Sequence, residues 1–74
     1  MSEQPSVATL LKRANAFLQA GRPADGLPFA QQALAADPEN PSAHLVVGWL
    51  LLTTGEYEAA QGHLETAGAS RPDD

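Results

Sequence analysis

Apolar residues recur along this chain at helical spacing in four successive blocks, each set off from the next by glycine or proline. In residues 7–20, Leu10, Ala14 and Phe17 share one face with Leu11 and Leu18 beside them, while Lys12, Asn15 and Gln19 lie opposite. That is the pattern of an amphipathic helix. Ser6 is placed to cap it, Gly21 to end it with a positive φ, and Pro23 to open the next helix, where a missing N–H costs nothing. The second helix is predicted over Pro23–Ala36, with Leu27, Phe29, Ala30, Ala33 and Leu34 as its apolar content. Pro28 predicts a local bend, or a helix that begins properly only after Gly26, because an interior proline loses one backbone hydrogen bond and crowds the preceding turn. Asp37-Pro38 ends the segment, and Asn40 as N-cap with Pro41 behind it announces the third helix.

The third block, residues 42–54, reads SAHLVVGWLLLTT and has no polar side. At about 100° per residue, His44, Val47, Gly48 and Leu51 fall on one face. Leu45, Trp49 and Leu52 fall on a neighbouring one, with Val46 at its margin. One face is an ordinary core; a second requires enclosure by other helices or cover from a partner. Gly55 closes this helix, and residues 56–69 form a fourth, more polar one. Its Glu56 and Glu58 favour the positive end of the helix dipole, and Arg71 follows its C-terminal end. No window alternates as a strand would, so the predicted class is all-α.

Composition narrows the picture. Seventy-four residues make one small domain whose single core is marginal, and with no cysteine no disulfide supports it. Four basic residues against nine acidic ones argue against a nucleic-acid or anionic-membrane surface, which needs clustered Lys and Arg. The start has no secretory pattern, residues 46–52 are too short to cross a bilayer, and a cytoplasmic chain is expected. Residues 1–5 are polar and predict a frayed end, so 1–6 are set apart as a disordered N-terminal end.

Sliding the chain against itself by 34 residues brings Leu11 onto Leu45, Leu18 onto Leu52, Gly21 onto Gly55, Ala33 onto Ala67 and Pro38 onto Pro72. Ser6 and Asn40 coincide as caps, and the small residues Ala14 and Gly48 coincide where neighbouring helices would approach. A repeated helix-turn-helix of this period resembles the tetratricopeptide repeat, with repeat one over residues 7–40 and repeat two over 41–74. The family's pattern is met by Leu10, Ala14, Phe17, Gly26, Ala30, Ala33 and Pro38, and again, with His44 standing at the position of the large residue, by Val47, Gly48, Leu51, Ala60, Leu64, Ala67 and Pro72. Arg13, Pro23 and His44 depart from it at positions where large apolar or aromatic residues are usual, which loosens the packing. The resemblance implies two tandem repeats forming a short right-handed α-solenoid, a four-helix array.

It also implies a function. First helices of such repeats line a concave groove that contacts an extended peptide or a helix. Carried over by position, repeat one offers Ala8, Leu11, Lys12, Asn15, Leu18 and Gln19 to the groove, and repeat two offers Ser42, Leu45, Val46, Trp49, Leu52 and Thr53. The expected partner-binding residues are Leu11, Lys12, Asn15, Leu45, Val46, Trp49 and Leu52, polar and cationic at one end and apolar at the other. Two alternatives stand beside this: these side chains bury one another in a compact bundle, or the same face is covered by a second copy in a homodimer. The family's subset that grips a C-terminal carboxylate is not matched, since Leu11 and Val46 replace a lysine and an asparagine, leaving Asn15 alone.

No catalytic, metal or cofactor site is predicted. His44 and His63 sit in different helices without ligand spacing, His44 as a packing residue and His63 at an edge. Glu56, Glu58 and Glu65 suit a solvated face. The polar fourth helix suits an end cap, whereas Pro72 is where a third repeat would be announced. A weaker expectation therefore makes the chain the N-terminal part of a longer bacterial enzyme, by analogy with sulfotransferase-, hydroxylase- and glycosyltransferase-like proteins that carry such repeats.

Overall fold

The computed structural model describes residues 6–69, and these form four α-helices: α1 (Val7–Gln19), α2 (Pro23–Ala36), α3 (Pro41–Thr53) and α4 (Tyr57–Ala69). Each boundary has a local cause. The Ser6 hydroxyl accepts from the Thr9 amide at 3.1 Å, and the Asn40 side-chain oxygen accepts from the Ala43 amide at 3.1 Å, so both predicted caps satisfy an otherwise orphaned donor. Gly21 and Gly55 have φ of 79° and 90°. In the first turn the Arg22 amide donates to the Phe17 carbonyl and the Gly21 amide to that of Leu18; in the second, Glu56 donates to Leu51 and Gly55 to Leu52. Both hairpins therefore end their first helix in the same Schellman motif. The expectations for Arg71 and Pro72 and for an N-terminal end over residues 1–5 fall outside the described residues.

Two expectations are corrected. The second helix does not wait for Gly26; it runs without interruption from Pro23 with Pro28 inside it. The amide that Pro28 lacks would have bonded the Ala24 carbonyl, and Ala24 and Pro28 are both exposed, so water can take up that acceptor. The fourth helix starts at Tyr57, and Glu56 stands just before it, its carbonyl accepting the Ala60 amide at 2.9 Å. Only Glu58 is then an acid of the first turn.

Helices α1 and α2 pack as one antiparallel hairpin and α3 and α4 as the next, and α3 also packs against both α2 and α1. Helix α4 touches α3 alone among the described helices. The main core lies between the hairpins and joins Ala14, Ala30, Val47, Leu50, Leu51 and Ala60, with Leu18, Leu27, Phe29, Leu34 and Val46 packed against it. A second cluster, Leu10, Ala33 and Ala43, is flanked by Val7, Leu11, Phe29 and Leu34. Small residues set the interhelical distance. A Cβ on Gly26 would stand 2.7 Å from the Ala14 carbonyl oxygen, and one on Gly48 would stand 2.8 Å from Cγ and Cδ2 of Leu64. The array is a short all-α solenoid in which helix three is the central element.

Candidate functional site

Helix α3 is enclosed on most of its circumference. Ala43, Val47, Gly48, Leu50 and Leu51 are buried, and Leu50 and Val47 are the largest fully buried side chains among the described residues. Leu50 and Ala43 were not singled out from the pattern. They follow from it once α2 is placed against α3, because 43, 47 and 50 make one stripe.

What remains is a strip left open to solvent. Trp49 is 48% exposed and Leu52 37%, with Leu45 half-buried one turn before Trp49 and the polar Ser42 and Thr53 at the two ends. A tryptophan half in water beside two leucines is not what four mutually covering helices leave behind. The side chains of this strip do not bury one another completely. Across the seam on α1, Lys12 and Asn15 are exposed, as are Ala8 and Gln19. Leu11, Leu18 and Val46 are half-buried and also pack onto the core clusters, so they form the floor of the seam more than its rim. The structure thus places the seven expected binding residues on α1 and α3: four exposed (Lys12, Asn15, Trp49, Leu52) and three half-buried (Leu11, Leu45, Val46).

The histidines are not separate, as their positions in the sequence suggested. His44 Nδ1 and His63 Nδ1 lie 3.0 Å apart across the α3–α4 hairpin, rings tilted at 31°. His44 Nε2 lies 2.7 Å from the Pro38 carbonyl oxygen, which can only accept, so Nε2 carries the hydrogen. In the neutral ring His44 Nδ1 is then an acceptor, and His63 Nδ1 must be the donor. Burial, and after it the neighbouring His44, hold His63 below its ordinary 6.5. The pair lies on the α4 side of α3, behind the exposed strip, and ties the second hairpin. Among the described residues no group of three or more His, Cys, Asp or Glu comes together as a metal site, and no helix is long and apolar enough to cross a membrane.

These features define a class: helical hairpins repeated in tandem and stacked in series, with one face of the first helices left to solvent. The family model described as tetratricopeptide repeat matches residues 17–74, more than half of the chain, and the chain belongs to that family. Its members are in general protein–protein interaction modules. No curated protein matches the chain, and no solved structure does.

Proposed function

We propose that the chain is a non-catalytic module that binds a peptide or a helix along the α1–α3 face. Leu45, Val46, Trp49 and Leu52 supply apolar contact, with Leu11 beneath and Lys12 and Asn15 at the rim. The observation that carries this is the exposure of Trp49 and Leu52 on a helix whose other sides are closed. Burying such a tryptophan removes a large apolar area from water, and truncating an anchor of this kind costs about 2 kcal/mol or more of binding, a loss of roughly thirtyfold. Selection of random displayed peptides against the chain provides the test. Ligands so obtained should lose at least tenfold affinity for Trp49→Ala and be indifferent to Gln31→Ala on the exposed surface of α2. Ligands that bind Trp49→Ala as well as the parent would contradict the proposal.

A further inference from the structure

The two hairpins can be superposed by their 34-residue shift, and one face then behaves differently in each. Val47, Leu50 and Leu51 are 2%, 0% and 9% exposed in the core between the hairpins, where Ala30 of α2 joins them. Their counterparts on α1 are Arg13, Ala16 and Phe17. No described helix covers these in the same way, and with Ala20, Arg22 and Phe29 they line an apolar pocket of about 390 Å³. Phe17 and Phe29 stack at 5.7 Å and 15° in its wall, and the Arg22 guanidinium lies 5.8 Å from the Phe17 ring centre.

The element that would cover this face must do for α1 what α2 does for α3. The counterpart of α2 is α4, and its outer stripe is unoccupied by any described helix. The counterparts of Leu27 and Leu34, through which α2 packs on the core, are Gln61 and Gly68; both are exposed, Tyr57 and Glu65 flank Gln61 one turn to either side, and Tyr57 is 66% exposed. Charge matches the two ends. Helix α1 carries Lys12 and Arg13 and no acid, whereas α4 and the residue before it carry Glu56, Glu58 and Glu65 and no lysine or arginine. Arg13 has no ion-pair partner among the described residues, and Arg22 pairs with Asp25 at 2.8 Å.

We infer that the partner of this pocket is a second copy of the chain, docked head to tail, with the Tyr57 edge of α4 laid over the Arg13–Phe17 face of α1. The contact continues the solenoid from one molecule to the next. It is heterologous, since different surfaces meet, and it leaves one free head and one free tail on every assembly. It is independent of the Trp49 strip, which stays open along the stacked array.

Sedimentation equilibrium of the 74-residue chain tests it. The weight-average mass should rise with concentration without levelling at the dimer, and the association should weaken several-fold in about 1 M salt, where the screening length falls to ~3 Å. Arg13→Glu blocks the head and Tyr57→Glu the tail. Each variant should be monomeric where the parent associates, while an equimolar mixture of the two should stop at a dimer, because one intact head meets one intact tail. Ala16→Glu and Glu65→Lys serve as second blocks should either variant lose its helical signal, and Trp49→Ala should associate like the parent. A parent chain that stays monomeric to about 1 mM, too weak a contact to matter, would overturn the inference. So would head-blocked and tail-blocked variants that associate unchanged, a mixture that stays monomeric, or association that is abolished by Trp49→Ala and untouched by Arg13→Glu.

Discussion

The two hairpins of this molecule share a plan and differ in how they fill it. In the first, the close approach is made by Gly26 on the second helix, pressed against the backbone of Ala14, and Ala30 stands at the next turn. In the second, glycine has moved to the first helix as Gly48, Ala60 stands where Gly26 stood, and Leu64 replaces Ala30 and fills the space that Gly48 leaves. The equivalent contact is made by opposite assignments of small and large. Packing constrains the sum across a contact more than either residue alone. A further difference is exposure: the first-helix face that is core in repeat two is surface in repeat one, because only repeat two has a hairpin stacked before it in the described structure.

The largest effect should separate the repeats at that face. Leu50→Ala empties a fully buried site and should cost about 2–5 kcal/mol in chemical denaturation, whereas Ala16→Leu, the reciprocal change at the exposed counterpart, should leave stability within about 0.5 kcal/mol. Equal losses at both positions would mean that the two faces are equally covered. Next comes the close approach. Gly26→Ala meets backbone and should destabilise by about 1–3 kcal/mol even though alanine favours helix. Gly48→Ala meets the Leu64 side chain, so its cost should fall by at least ~0.5 kcal/mol in a Leu64→Ala background, read as the coupling in a double-mutant cycle. Additive losses would break the complementarity argued above.

At the turns the repeats should behave alike. Gly21→Ala and Gly55→Ala each place a Cβ at positive φ in open space, and each should cost about 1 kcal/mol. The smallest effect belongs to repeat two alone. His63 has its folded pKa lowered below 6.5, so as pH falls the unfolded ring takes up its proton first. Stability from this group is whole above 6.5 and declines as pH drops below that value. His63→Phe, which installs the residue found at the equivalent Phe29, should flatten the decline in thermal melts between pH 7 and about 5. An unchanged slope would assign it to other groups.

Most of the fold was legible because its punctuation is local. Ser6, Asn40, Gly21, Gly55, Pro23 and Pro41 each act within one turn of where they stand, and the helix bounds followed to within a residue. Pro28 misled only in part, since its lost hydrogen bond falls in an exposed second turn where the helix can absorb it. What escaped was pairwise and non-local. His44 and His63 are 19 positions apart and meet only if the hairpin register is known. In the structure Gly48 lies against Ala60, which places residues one turn outward on each helix, 44 and 63, side by side. The Arg13–Phe29 pocket was invisible for another reason, since a departure from an apolar pattern says that a position is altered and not which surface it then shapes.

The account turns on Trp49 being open to solvent and available to a ligand, and the chain contains a single tryptophan, so its fluorescence reports on that residue alone. We predict a red-shifted emission maximum and ready quenching by acrylamide and iodide, both unchanged from micromolar to the highest concentrations at which the chain associates. A blue-shifted, quencher-resistant tryptophan in the folded chain at low concentration would contradict the account, because the proposed binding face would then be closed.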